Sequence, residues 1–185
     1  MANIVILKGS PRERGNSSTL AEQTRAGAEA AGASVEAFHL HRMDIRPCDA
    51  CDFCRGTGIC AIADDMQGLY PKLLGADALV LASPIYWGTY SAQLKTCIDR
   101  WYALTSGNAD VFKGRPVGAV LTFADPDVYA SGVVNAIHAF ESMFRYVEAD
   151  FVGCVYGCLS RIGDAQKNSA LMEQARQLGE RLARR

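Results

Sequence analysis

Apolar positions along the chain follow two alternating rhythms. Residues 4–7 are a continuous aliphatic run closed by Lys8-Gly9-Ser10-Pro11, the form of a strand buried on both faces. Residues 79–82 and 117–121 repeat that form, and residues 151–155 do so more weakly. Residues 34–40 alternate only in part, as a strand at or near an edge would. Between these runs the period changes. Leu94, Cys97, Ile98, Trp101 and Leu104 share one helix face, as do Val133, Ile137, Phe140, Phe144 and Val147. Leu171, Ala175, Leu178 and Leu182 predict a C-terminal amphipathic helix, and the Ala-rich residues 19–31 another. Asp64 or Asp65 is placed to cap a short helix carrying Met66, Leu69 and Leu73.

Strands that alternate with helices imply a parallel sheet covered on both faces by right-handed crossovers. Five of them predict an α/β, doubly wound, flavodoxin-like three-layer sandwich with strand order 2-1-3-4-5. Neither a linker nor a repeat interrupts the pattern, so residues 1–185 read as one domain with a cysteine-rich insertion loop at about 41–63.

Charge adds mostly exclusions. Nineteen Lys and Arg against 20 Asp and Glu leave a net charge of −1, without the basic footprint of a nucleic-acid binder. Apolar runs stop well short of the roughly 18 residues of a membrane span. The apolar stretch at the N-terminus is too short for a signal peptide, so the expected location is cytoplasmic.

In open α/β sheets, ligands bind beyond the carboxyl ends of the strands. The first such loop, residues 9–19, reads Gly-Ser-Pro-Arg-Glu-Arg-Gly-Asn-Ser-Ser-Thr and runs into a helix. It offers hydroxyls at Ser10, Ser17, Ser18 and Thr19, a natural N-cap in Asn16, two arginines and a helix N-terminus, all suited to an anion. Neither the Walker loop nor the dinucleotide fingerprint is present, which favours a phosphate monoester. The loop after the third strand holds Pro84, Ile85, Tyr86, Trp87, Gly88, Thr89 and Tyr90. Three exposed aromatics at the same rim suit a planar heterocycle with a phosphate tail, or an interface between subunits.

Together, Gly-Ser-Pro-Arg and Gly-Asn-Ser-Ser-Thr after strand one and Ser-Pro-Ile-Tyr-Trp-Gly-Thr after strand three resemble the NADPH-dependent FMN reductase family. That resemblance implies an FMN-binding oxidoreductase using NAD(P)H as transient co-substrate. By it, Ser10, Arg12, Asn16, Ser17, Ser18 and Thr19 hold the FMN phosphate and ribityl chain. Pro84, Ile85, Tyr86, Trp87 and Gly88 line the isoalloxazine, with Thr122 as a third contact. A homodimer or homotetramer is also implied.

Seven cysteines are unusual in such a chain, and four of them, Cys48, Cys51, Cys54 and Cys60, fall in one loop. Zinc is usually held by two separated Cys-x-x-Cys knuckles. Three cysteines at successive three-residue steps are closer to the pattern that wraps a 4Fe–4S cluster. Free or redox-active thiols and zinc stay open as alternatives. Within the flavodoxin-like proteins, this spacing and the following Asp64-Asp65-Met66 resemble the iron–sulfur flavoprotein branch. Strands two and three flank strand one, so the cysteine loop and the flavin loops are expected to share a rim. Cys97, Cys154 and Cys158 are expected to be core residues, and His41 a solvated neighbour of the cysteine loop. The partners implied are a small electron acceptor or a ferredoxin-type carrier. Two rival functions remain: a flavodoxin-type electron carrier without turnover, and a thiol or metal redox sensor.

Overall fold

The computed structural model describes residues 1–184. Its strands are β1 (Asn3–Lys8), β2 (Ser34–His39), β3 (Ala78–Tyr86), β4 (Thr89–Tyr90), β5 (Pro116–Phe123) and β6 (Asp150–Cys158). Five of them are parallel in the order β2-β1-β3-β5-β6, and the two-residue β4 folds back antiparallel on β3. Counted over the parallel strands alone, the order is the expected 2-1-3-4-5. The addition is the β3–β4 hairpin, in residues read from sequence as an aromatic loop.

Continuous aliphatic runs are explained by burial on both sides. Val5, Leu7, Leu79, Leu81 and Leu121 face one helical layer, and Ile4, Ile6, Val80 and Val120 face the other. The second layer contains α1 (Asn16–Ala30), α6 (Asp164–Lys167) and α7 (Ser169–Ala183); α2 (Met66–Leu74), α3 (Ala92–Asp99), α4 (Tyr102–Gly107) and α5 (Val133–Tyr146) cover the first. Helices α1 and α7 meet backbone to backbone through Gly27 and Gly179. A Cβ at Gly27 would run into the Arg176 carbonyl, and one at Gly179 into the Thr24 carbonyl.

Local boundaries differ from expectation in two places that matter for the site. Helix α1 starts at Asn16, three residues earlier than its Ala-rich body, and Gly15 rather than Asn16 holds the cap position. The single helix expected over residues 94–104 is broken into α3 and α4. At the break, Arg100 N–H bonds to the Cys97 carbonyl (3.2 Å) and Trp101 N–H to the Ile98 carbonyl (2.9 Å), a tighter turn than the α-helical one. Arg100 lies in that break and is buried, at 1% exposure. Among the described residues, no helix is long and apolar enough to cross a membrane.

Candidate functional site

The carboxyl ends of β1, β3 and β5 open into a cleft of about 110 Å³. Ser10, Arg12, Asn16 and Ser17 line it from the first loop, and Pro84, Ile85 and Tyr86 from the end of β3. Thr122 closes it from β5. Ser18, Thr19, Trp87 and Gly88, named from sequence with these residues, do not line the enclosed part. Segment 159–162, which contributes Leu159, Ser160 and Ile162, was not singled out in the sequence.

Backbone chemistry makes this cleft suited to an anion. The first intrahelical N–H bond of α1 is Thr19 to the Gly15 carbonyl (2.9 Å), so geometry leaves the N–H groups of Asn16, Ser17 and Ser18 without intrahelical partners. No side chain caps them, and the first turn carries no acidic residue. The positive end of the helix dipole therefore faces the cleft unneutralised. A Cβ at Gly15 would sit 3.0 Å from Ser10 Oγ and 3.1 Å from the Arg12 carbonyl. The missing side chain is what lets this loop fold tightly over the helix end.

Side chains around the cleft are tied into the scaffold. Asn16 spends its amide on the far loop: Nδ2 donates to the carbonyls of Leu159 (3.2 Å) and Arg161 (2.9 Å), and Oδ1 accepts from Ala165 N–H (3.2 Å). Ser10 Oγ accepts from Arg12 N–H (3.0 Å), and Ser18 Oγ donates to the Arg12 carbonyl (3.2 Å). Ser91, the N-cap of α3, joins two strand ends: its hydroxyl donates to the Gly9 carbonyl (2.7 Å), and its N–H to Ser83 Oγ (2.9 Å).

One wall of the cleft is the β3–β4 hairpin. Trp87 (φ 48°) and Gly88 (φ 82°) form its two-residue turn, with the positive φ values of a type I′ turn. The turn rests on α5, because Asn135 Nδ2 donates to the Gly88 carbonyl (3.3 Å) and Gly132 lacks the Cβ that would collide with Gly88. Trp87 thus holds a left-handed backbone that tryptophan disfavours while its indole is fully exposed. Among the described residues, no packing accounts for that combination.

The cysteines gather elsewhere. Cys48, Cys51, Cys54 and Cys60 all line one cavity of about 320 Å³, joined by Ile62 and by Tyr102 of α4. Positive φ at Ala50, Asp52, Gly56 and Gly58 coils the loop around it. Among the described residues, no three His, Cys, Asp or Glu side chains come together closely enough to hold a single metal ion.

A clasp closes the neck of this loop. Asp64 Oδ2 accepts from Arg46 N–H (2.9 Å), and Asp65 Oδ2 from Asp44 N–H (2.7 Å). Asp64 also pairs with Arg100 at 2.6 Å, with both side chains fully buried. Arg100 Nη1 donates to the Arg46 carbonyl (2.8 Å), and Nη2 lies 3.3 Å from Cys60 Sγ. Burial pushes the Asp64 carboxyl up, but Arg100 and the N–H groups of Arg46 and Met66 outweigh it and hold the group below its ordinary value. For Cys60, burial likewise pushes the thiol up. The Ile62 N–H, the Tyr70 hydroxyl and Arg100 overcome that and bring it below the usual range. Cys54 goes the other way, raised by burial.

The expected common rim is only partly present. The short 3-10 turn Leu40–Arg42 starts beside α3, where His41 Nδ1 lies 3.3 Å from Gln93 Nε2. Farther along, Gly58 backs onto Gly107 at the opposite end of α4, and the two cavities share no lining residue. Cys97 is fully buried, with a thiol pushed up to about 12 by desolvation, and Cys154 is raised similarly. Cys158, expected in the core, is exposed at the end of the outermost strand β6, where only β5 flanks it.

Known proteins resemble this chain in sequence and in fold. An iron-sulfur flavoprotein of Methanocaldococcus jannaschii is 29% identical, over 97% of this chain and 95% of its own length. A putative NAD(P)H-dependent FMN-containing oxidoreductase of Bacillus subtilis is 28% identical, over 95% of each chain. An NAD(P)H:quinone oxidoreductase from Methanothermobacter marburgensis shares the fold, with a TM-score of 0.74 at 21% identity, over 98% of this chain and 96% of that one. Residues 2–156, which hold the anion loop, the aromatic hairpin and the cysteine loop, match the profile of NADPH-dependent FMN reductases. The chain belongs to the NADPH-dependent FMN reductase family.

Proposed function

We propose that this enzyme binds FMN in the cleft at the ends of β1, β3 and β5 and a 4Fe–4S cluster at Cys48, Cys51, Cys54 and Cys60. It passes electrons from NAD(P)H, or from a reduced ferredoxin-type carrier, to a small acceptor. The observation that carries the cluster is the convergence of all four cysteines on one cavity beside a buried guanidinium. A cubane spreads its thiolates around four irons, so an open ring of cysteines suits it better than the closed tetrahedron a single zinc ion needs. Arg100, held by Asp64, places an N–H donor 3.3 Å from the sulfur of Cys60.

The residues of the cleft fit the flavin in the same way. The uncapped turn at Asn16, Ser17 and Ser18 and the Arg12 side chain suit a phosphate. An enclosed volume of about 110 Å³ is below the roughly 300–1,000 Å³ of most small-molecule sites. It therefore takes the polar tail and leaves the ring to Pro84, Ile85, Tyr86 and Trp87. When bound, FMN supplies a hydride acceptor and the cluster a one-electron carrier. The chain needs no acid or base for this chemistry; it orients the ring and shields it from water. Exposed Trp87 and Tyr86 also suit contact with a second copy in a homodimer or homotetramer, and a cytoplasmic location fits both cofactors.

Anaerobic reconstitution with FMN, iron and sulfide tests the reading. The expected result is retained flavin absorbance that NAD(P)H bleaches, with turnover on a quinone or free flavin. Flavin that is reduced by a ferredoxin without turnover makes the protein a carrier. No flavin uptake, with oligomeric state following redox state, makes it a thiol sensor.

A further inference from the structure

Arg100 is the most deeply buried charge in the molecule's functional half, and the flavin chemistry gives it no role. It lies between α3 and α4, 36 residues from the aspartate it pairs with. A buried ion pair is a weak source of stability, because desolvating both charges offsets much of their attraction. What distinguishes this one is its further contacts. The guanidinium reaches both strands of the neck, at the Arg46 carbonyl (2.8 Å) and the Ile62 carbonyl (3.4 Å), and it reaches Cys60 Sγ (3.3 Å). Tyr70 of α2 approaches the same place, donating its hydroxyl to the Arg100 carbonyl (3.2 Å). The other three cysteines have no comparable donor: Cys48 and Cys51 are exposed, and Cys54 packs into the apolar core.

We propose that Arg100 is the positioning residue of the cysteine site: it fixes Cys60 Sγ, donates an N–H to it, and thereby raises the reduction potential of the group the four cysteines hold. This rests on the cluster reading above. Hydrogen bonds to ligating sulfurs are one of the levers that set iron–sulfur potentials, because they stabilise the added negative charge of the reduced state. Burial strengthens such a bond, since no water competes for the sulfur. The Asp64 carboxylate holds the guanidinium plane, so Asp64 positions the donor and Arg100 the ligand.

The test has a metal-free arm and a loaded arm. In apo protein, the Arg100 side-chain N–H resonance, slowed in exchange by burial, is followed by NMR in wild type and in Cys60→Ala. The contact predicts a clear shift of that resonance, and an unchanged resonance overturns the proposal. In protein loaded with iron and sulfide, the midpoint potential is measured for wild type, Arg100→Lys, and the double variant Arg100→Gln with Asp64→Asn. The double variant leaves no unpaired buried charge and so keeps the chain folded. Its one-electron equilibrium is expected to shift toward the oxidised form by about tenfold, which is about 59 mV, with Arg100→Lys restoring part of it. A merely structural role moves the melting temperature of the folded variants and leaves the potential in place, and that result also overturns the proposal. Should wild type take up no iron or sulfide, the cluster reading fails by itself. The NMR arm then decides whether Arg100 holds Cys60.

Discussion

The cleft at the strand ends and the cysteine cavity are built on opposite plans. The cleft stands on the ends of three central strands and on the start of a 15-residue helix, and its working groups are mostly backbone N–H. Ser10, Ser18, Ser91 and Asn16 around it are tied to loop carbonyls. The cysteine cavity is an excursion of irregular chain with four left-handed residues, closed at its neck around one fully buried ion pair. Dispersed ties position the first site, while several of the bonds at the neck of the second converge on Asp64 and Arg100. A single substitution should therefore unmake the cysteine site and only tune the cleft.

The sharpest way to break that contrast is Asp64→Ala. It leaves Arg100 charged, buried and unpaired, which costs roughly 3–5 kcal/mol, and urea denaturation should show a loss of that size. Hydrogen exchange should rise first across residues 44–65. A loss below about 1 kcal/mol would mean that the neck is held by something else.

The cleft is tested by charge rather than by packing. Ser17→Asp puts a carboxylate at the uncapped start of α1, a buried position where the helix dipole offsets part of its desolvation cost. It also occupies the anion site, so FMN binding measured by fluorescence titration should weaken by about two orders of magnitude, or about 2.7 kcal/mol. Equal affinity in the variant would remove the phosphate from this helix. Behind the cleft, Gly179→Ala should cost about 1–3 kcal/mol by prying α7 off α1, with FMN affinity falling only as far as α1 moves.

Trp87→Gly gives a smaller effect with an informative sign. Releasing the left-handed backbone of an exposed residue should leave stability within about 1 kcal/mol of wild type, while flavin retention falls. If flavin retention is unchanged, the strained tryptophan serves something other than the cleft.

The smallest effect concerns His39, at the end of β2. Burial, then the charges of Lys8 and Arg42, hold its pKa below the ordinary value, and both ring nitrogens are buried without a hydrogen-bond partner among the described residues. A depressed histidine makes the unfolded chain bind more protons. Stability is therefore complete above the unfolded value of about 6.5 and declines as pH falls from there toward the folded value. His39→Leu should remove that slope, which amounts to at most one proton, from chemical denaturation curves at pH 5 to 7.5.

How much of this the sequence carries differs between the two regions for physical reasons. The strands were legible because double-sided burial leaves uninterrupted aliphatic runs, and the first loop because glycine and hydroxyl residues before a helix have few other uses. The cysteine spacing marked the loop, and the four cysteines do line one cavity. Arg100 was not legible. A charge inside a helical period reads as a solvent-facing position, and only the break between α3 and α4 together with Asp64 turns it inward. The hairpin at Trp87 was hidden for a related reason, since three aromatics within five residues mask the short β4 pairing. Segment 159–162 carries no local signal, because it is tied to the cleft by the Phe123 carbonyl and by Asn16, more than 140 residues earlier.

The central claim is that the cysteine cavity holds an iron–sulfur cluster alongside FMN in the same chain. The direct measurement is iron, acid-labile sulfide and flavin per chain, on protein prepared and kept without oxygen. The account predicts roughly four irons and four sulfides for each flavin, all lost together in Cys60→Ala. Flavin at full occupancy with no iron, and four freely alkylated thiols in that loop, would contradict it.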